Sequence, residues 1–553
     1  MPSLLTRREA FKGATLLAAA PVGEVDPAIL RRHDALVRDL LERQVTAPSS
    51  RWCGACPGPY GLHEAGSAAA VLETFTAAFL HPGSRFCGDR LLVERMRLAA
   101  GYLEKAQNAE GFIDLLITNF NSPPDTAFVV QPVATAACLA RRRGETELAG
   151  LSDRFLRRAA AGLVRGGVHT PNHRWVVCAA LAQLYELYRD PACLRRIDQW
   201  LAEGIDIDSD GQYTERSTLV YNPVVDRALI VMAVKLHRPE LLDPVRRNLN
   251  SMLYLLHPDY EVVTEISHRQ DQYQRGDIGA YWFPLKYMAV RDNDGRFAAL
   301  ARRFAAQHAR LGALMEYPEL LAPGPADAEI PDDYLKDFPA LGITRIRRGL
   351  TSATLMLGGN SRFFCLRRGQ AVVEAVRFAS AFFGKGQFIP QEVRRQGEVY
   401  AFSQTLEGDY LQPLEPAGRV GPSEWAAVRA RRKRSQSCRL IQRAELAEHP
   451  EGFKLRVRVY GTDNVPVAIE IHLREGGRLE GVEPAPGVSD AWLLAGPQAL
   501  YQAGGDVIRF GPGLREHGYT QVRGAEPKLP GPSVYLTGYT PLDHTIEFSW
   551  KRG

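Results

Sequence analysis

The feature that most constrains this chain is a helical pattern that returns eleven times between about Asp26 and His308. Apolar residues recur at three- and four-residue spacing, as in Val177, Leu181, Leu184, Tyr185 and Tyr188, which is the stripe an amphipathic helix turns toward a core. The runs fall at roughly 27–45, 64–79, 88–107, 125–143, 150–165, 173–188, 191–203, 222–236, 239–256, 277–291 and 295–312. Most connections between them are short, so successive helices are predicted to pair as antiparallel hairpins.

A faint repeat runs through those hairpins. Ala109-Glu110-Gly111-Phe112 leads through Asn119-Phe120-Asn121 and Pro123 to a helix beginning near Asp125, and Asp210-Gly211-Gln212-Tyr213 leads through Tyr221-Asn222-Pro223 to one including Asp226. Self-similarity at the scale of a helix pair points to pairs stacked around an axis, as an open solenoid or a closed toroid. In a toroid such loops would share one rim, where their polar residues converge.

Pro318, Pro323, Pro325 and Pro331 with Gly324 mark a linker, and from about Ile343 the patterns become short and alternating. Examples are Thr351 to Leu357, Ala371 to Ala379, Phe453 to Tyr460, Val467 to Leu473 and His544 to Trp550. At 553 residues the chain exceeds what one hydrophobic core organises. The expected class is α+β and multidomain: an N-terminal (α/α) incomplete toroid over 23–317, a linker over 318–342 and a C-terminal antiparallel β-sandwich over 343–553. Residues 1–22 read as a twin-arginine-like export signal, with Thr6-Arg7-Arg8-Glu9-Ala10-Phe11-Lys12 ahead of the apolar run Ala14 to Pro21. An exported protein, periplasmic or secreted, is therefore expected.

The formal net charge of +5 suits an acidic substrate and is far from a nucleic-acid-binding signature. No stretch has the roughly 18 to 20 uninterrupted apolar residues of a membrane span. Cys53-Gly54-Ala55-Cys56 has the spacing of half a zinc site or of a local disulfide, but nothing nearby completes a metal set. No metal and no cofactor is expected, and oligomeric state is not legible. The basic stretch Arg429 to Arg434 interrupts the strand patterns, either as a solvated loop or as a binder of polyanions.

Polar residues concentrate in two loops, Thr170 to Trp175 and Asp210 to Ser217, each directly before a helical pattern. Asn172 is a good helix N-cap, so a plain helix start is one reading of the first loop. The density of Asn, His, Arg, Tyr and Glu in both favours a catalytic pocket. A third cluster, Thr264 to Tyr273, supplies His268 and Arg269. Trp175, Tyr281 and Trp282 are aromatics that either stack on sugars or belong to the core.

The domain order, the Asn172-His173 pair opening a helix, and Asp210-Gly211-x-Tyr213-x-Glu215 followed by Tyr221 resemble the polysaccharide lyases of the heparinase II/III and alginate-lyase type. Arg216 stands where that family's loop carries Gly after the Glu. The resemblance implies β-elimination on a uronic-acid-containing glycan, with removal of the C5 proton alpha to a carboxylate. It makes an acidic polysaccharide or oligosaccharide the expected partner. Asn172 and His173 are then the groups that neutralise the carboxylate, with Arg269 a third donor, by the logic of an oxyanion hole. Tyr221 is the base or acid, with Tyr213 in reserve and His173 or a sandwich residue as its acid–base partner. A tyrosine titrates near 10, so nearby positive charge from Arg216 or Arg269 would be needed. His268, Arg269, Arg216, Glu215 and Trp175 are substrate-binding candidates, and Gln391, Glu392 and Arg394 are conjectural sandwich contributors. Three alternatives stand beside this: an inverting hydrolase using two of Asp114, Asp125, Glu215 and Asp226, a uronyl C5-epimerase, and a non-catalytic glycan-binding protein.

Overall fold

The structure, a computed structural model, describes residues 24–550, so the export signal read at residues 1–22 lies outside the described residues. It forms two units, one of residues up to Leu253 together with Val262–Ile330, the other of Tyr254–Glu261 together with residues from Pro331 onward.

In the first unit, sequence sorts helices into an inner and an outer layer. The helix Pro171–Tyr188 buries residues on nearly every side, from Trp175 through Leu184, because Ala, Val, Leu and Cys surround it. Ala65–Leu80, Pro123–Arg142 and Tyr221–Leu236 are buried in the same way, with Ala65–Leu80 packed on Pro123–Arg142, that helix on Pro171–Tyr188, and Pro171–Tyr188 on Tyr221–Leu236. By contrast Pro191–Leu201 buries only Cys193 and Ile197 and presents its charged face outward. Pro27–Arg43, Arg90–Ala106, Asp153–Arg165, Leu242–Met252 and Gly295–His308 share that outer character. This is the layered helical-pair arrangement of an (α/α) toroid.

The internal repeat in the sequence is a repeat in three dimensions. Asn108 Oδ1 accepts the backbone N–H groups of Glu110 and Phe112, and Asp208 Oδ1 accepts those of Asp210 and Gln212. In both turns the glycine has positive φ, 96° at Gly111 and 83° at Gly211. Each also lies against a neighbouring helix, since a Cβ would stand 2.2 Å from the Arg158 carbonyl in the first and 2.6 Å from the Arg247 carbonyl in the second. Only glycine meets both conditions.

The second unit is two antiparallel-dominated sheets. One runs in the order Glu483–Pro484, Ala491–Leu493, Ser533–Tyr539, Pro466–Leu473, Ala371–Ser380, Phe364–Arg368, Thr351–Met356, Ile343–Arg348 and Asp333–Phe338. The other runs Arg478–Glu480, Ala499–Ala503, Asp506–Gly511, Leu542–Ser549, Gly452–Gly461, Arg434–His449, Val399–Leu411 and Glu392–Gln396. Their inner faces share one core in which Phe363, Phe364, Phe378, Phe388, Phe402, Phe453 and Phe548 are essentially buried. The strand Asp333–Phe338 falls inside the stretch expected as linker: the proline-rich part ends at Pro331, and the following Tyr334 to Phe338 pairs with Ile343–Arg348.

The segment Tyr254–Glu261 is held in this unit by buried arginines. Arg345, fully buried, donates to the carbonyls of Leu256 at 3.2 Å and Ala353 at 3.1 Å and to Ser352 Oγ at 2.8 Å. Glu261 accepts both terminal nitrogens of Arg474 at 3.0 Å and Arg367 Nη2 at 2.8 Å. Burial alone would raise the Glu261 carboxyl, but these two guanidinium groups hold it down to about 2.

Candidate functional site

Three segments of the first unit bring polar side chains together where inner helices begin. Pro171 opens the helix Pro171–Tyr188, a position where its missing N–H costs nothing, and this places Asn172 and His173 in the first turn. The loop after Ile207 closes on itself through the Asp208 turn and delivers Glu215. Arg216 then has φ of 50°, the left-handed conformation in which glycine is at ease. Tyr221 opens the helix Tyr221–Leu236, its N–H donating to Ser217 Oγ at 3.0 Å. The third segment, Thr264 to Tyr273, is tied to the second by Asp271, which accepts from Leu219 N at 3.2 Å and Ser267 Oγ at 2.5 Å.

Glu215 is the hub. Its Oε2 accepts from Asn172 Nδ2 at 2.7 Å, and its Oε1 stands 3.9 Å from Arg269 Nη1. Its backbone carbonyl accepts from His268 N at 3.0 Å. Burial pushes the Glu215 carboxyl above the ordinary range, with Asn172 and Arg269 opposing. The Arg269 guanidinium in turn lies over the Tyr221 ring, 5.1 Å from its centroid, and Tyr221 Oη accepts from Gln270 Nε2 at 2.8 Å. A continuous set of contacts therefore runs from Asn172 through Glu215 and Arg269 to Tyr221.

His173 lies beside this set, 6% exposed, edge-on to His169 at 4.7 Å and to Phe128 at 6.2 Å. Burial, helped by His169 and Arg269 and opposed by Asp125, lowers its pKa to about 4, so at neutral pH it is an uncharged donor and acceptor. Its Nδ1 and the Asn172 Oδ1 are buried with no hydrogen-bond partner among the described residues.

Other sequence candidates lie elsewhere. Trp175 is fully buried with its Nε1 donating to Asp206 Oδ1 at 2.9 Å, so it is a core residue and no sugar platform. Tyr213 is buried and donates to Asp226 Oδ1 at 2.7 Å. Burial and that carboxyl push its phenol well above 10, which removes it from the reserve role as base. Asp226 has no exposure, which withdraws it as a hydrolytic carboxylate, and burial raises its carboxyl as well. Tyr281 and Trp282 belong to the core too, the former donating to the Thr218 carbonyl at 2.6 Å. His268 is exposed, and partial desolvation of its ring together with Arg216 lowers its pKa. Gln391, Glu392 and Arg394 are exposed residues at or beside an edge strand of the second unit, where Arg394 pairs with Glu392 at 3.2 Å.

Gln270, Asp271, His169 and Phe128 were not singled out in the sequence. Nothing but proximity in the fold marks them, although Gln270 and Asp271 sit in the polar cluster already noted. Three cavities of the first unit, about 640, 570 and 470 Å³, are lined by other residues. Among the described residues one group of metal-ligating atoms, from Cys138, Glu186 and Glu316, lies within 4.8 Å, and the Lys235 ammonium already bridges its carboxylates. Cys53 and Cys56 are buried free thiols. No described helix is long and apolar enough to cross a membrane.

No family model matches the sequence, and no curated protein does. Solved structures match over nearly the whole chain. A chondroitin AC lyase of Streptomyces coelicolor A3, in complex with chondroitin sulphate, aligns with a TM-score of 0.58 and 15% identity over 97% of this chain and 80% of its own. A Paenibacillus xanthan lyase aligns at 0.55 and 10% identity over 96% of this chain and 57% of its own. A chondroitinase AC lyase known from oligosaccharide complexes aligns at 0.51 and 9% identity over 96% and 81%. The chain thus has the helical-plus-sheet fold of these polysaccharide lyases.

Proposed function

We propose that this protein is a polysaccharide lyase that cleaves a uronic-acid-containing glycan by β-elimination. The observation that carries the reading is the contact of Tyr221 with Arg269, linked through Glu215 to Asn172, at the start of two inner helices. The fold shared with lyases of acidic polysaccharides supports it.

In this reading the substrate carboxylate enters at the N-terminal ends of Pro171–Tyr188 and Tyr221–Leu236, where backbone N–H groups favour negative charge. Arg269, Asn172 and neutral His173 donate to it, stabilising the enolate-like charge that grows as C5 loses its proton. Glu215 orients Asn172 and Arg269. Its raised pKa lets it take up a proton when a second carboxylate arrives, so the two do not repel. Tyr221 Oη, with the Arg269 guanidinium over its ring, takes the C5 proton. The electron pair forms the C4–C5 double bond, the C4–O bond breaks, and the departing oxygen takes a proton, from Tyr221 or from a neighbouring acid. Export through the leader at residues 1–22 fits a substrate found outside the cell.

The test is ultraviolet absorbance of an unsaturated uronate during incubation with a panel of acidic polysaccharides. The parent should generate it, and Tyr221→Phe and His173→Ala should lose roughly 10²- to 10⁴-fold while remaining folded. New reducing ends without that absorbance would make the protein a hydrolase, and undiminished product from Tyr221→Phe would remove Tyr221 from the chemistry.

A further inference from the structure

The basic stretch Arg429 to Arg434 has no part in the rim site, yet the structure gives it a defined setting. The long strands Val399–Leu411 and Arg434–His449 pair from Ala447 opposite Val399 to Arg434 opposite Leu411. Beyond that last pair the chain forms a tip over residues 412–433, exposed almost throughout, with the short helix Trp425–Arg429 burying nothing. Between positions 407 and 434 six basic side chains meet four acidic ones. Lys433 pairs with Glu415, and Arg434 reaches Asp409 at 3.2 Å. Among the described residues Arg419, Arg429, Arg431 and Arg432 form no ion pair.

Aromatic rings are exposed on the same hairpin. Trp425 is 54% exposed and Tyr410 57%, and Phe383, itself 44% exposed, meets Tyr410 edge-on at 5.5 Å. The Arg432 guanidinium lies 4.4 Å from the Trp425 ring centroid. Exposed aromatic faces cost solubility and contribute nothing to the core of this unit, whereas a ring beside a guanidinium fork matches one chemistry well. The C–H face of a sugar stacks on the ring while its carboxylate or sulfate takes the fork.

We propose that this hairpin tip is a binding site for anionic glycan chains, with Trp425 and Tyr410 as stacking platforms and Arg429, Arg431 and Arg432 as anion donors. The excess of only two positive charges suits a polymer with at most one carboxylate per sugar. It is poor against duplex DNA, which carries one charge per about 1.7 Å. The acidic-glycan class is taken from the β-elimination reading, but binding at the tip needs no turnover and is tested without it.

The experiment uses the full chain carrying Tyr221→Phe, so that the probe is not degraded, and measures affinity for immobilised alginate against dextran at several salt concentrations. Arg429→Gln with Arg431→Gln, and separately Trp425→Ala, should each weaken alginate binding about fivefold or more, with unchanged thermal midpoints. Arg429→Lys with Arg431→Lys, which keeps the charge and loses the fork, should retain more than the glutamine pair and less than the parent, and affinity should fall as salt rises. Parent-like binding by the tip variants, equal binding of dextran, or no retention of the parent on alginate would overturn the proposal. Displacement of alginate by duplex DNA at lower concentration would assign the tip to nucleic acid, and self-association lost in Trp425→Ala with alginate binding intact would assign it to a second copy. Tip binding by this variant, with no unsaturated product from the parent on any acidic polysaccharide of the panel, would leave this proposal standing and remove the lyase reading.

Discussion

Acidification should cost this protein stability through His173, and the size of that cost follows from its burial. The ring is 6% exposed and its pKa is lowered from 6.5 to about 4. A histidine whose folded pKa is depressed leaves stability untouched above its unfolded value and subtracts from it as pH falls from about 6.5 toward 4. At about 1.4 kcal/mol per decade of proton affinity the full penalty is about 3 kcal/mol, of which about 2 kcal/mol has accrued between about pH 7 and pH 5. Other lowered histidines, His33, His81, His257, His268 and His472, add penalties of the same sign, so the parent alone cannot report on one residue. His173→Gln keeps a polar side chain of similar size that does not titrate, and the contributions of the others cancel in the comparison. Urea unfolding at the two pH values should show the parent losing about 2 kcal/mol more than His173→Gln. Parallel losses would refute the reasoning, because they would mean that His173 is solvated or already charged in the folded chain.

Asp226→Asn should keep the hydrogen bond from Tyr213 while relieving a buried carboxyl whose raised pKa costs stability as pH rises, so its melting temperature should exceed the parent's at about pH 8 and converge with it in acid. Gly211→Ala should lose about 1–3 kcal/mol in denaturant titration, since φ of 83° and the Arg247 carbonyl 2.6 Å from the new Cβ leave no room. Glu261→Gln should cost about 3 kcal/mol by leaving Arg367 and Arg474 short of their counter-charge. The parent's margin over that variant should fade as pH drops from about 4.5 toward 2, because a depressed carboxyl contributes stability only above its unfolded value.

The helical half was legible because each stripe is repeated and its ends are marked: Asp26, Asp89 and Asp190 cap helices with their own side chains. Where the expectation ran long, backbone chemistry explains it. The run 295–312 is two helices, Gly295–His308 and Leu311–Glu316, and 239–256 begins as a tight turn at Pro239–Leu241 and stops at Met252. The strands Val399–Leu411 and Arg434–His449 were not read, since their outer faces are solvated and so many residues are charged that alternation is masked. At the rim, Asn172, Glu215, Tyr221 and Arg269 stood out as polar residues crowded before helix starts. Trp175 and Tyr213 shared that crowding, and only the fold reveals their partners Asp206 and Asp226, which lie 31 and 13 residues away. Spacing in sequence does not distinguish a polar group aimed at solvent from one that satisfies a buried carboxylate.

The eight residues Tyr254–Glu261 belong to the second unit although chain of the first unit precedes and follows them. The polypeptide therefore changes unit three times, so no single cut at the proline-rich stretch near Pro331 yields two complete halves. A fragment ending there would carry Glu261 without Arg367 and Arg474, and the remaining piece would hold those arginines without their carboxylate. Gene fusion or exchange at the apparent linker would thus break a buried ion cluster on both sides of the junction. The two halves must be inherited together, and any recombinant sandwich has to bring a matching insertion in the helical half with it.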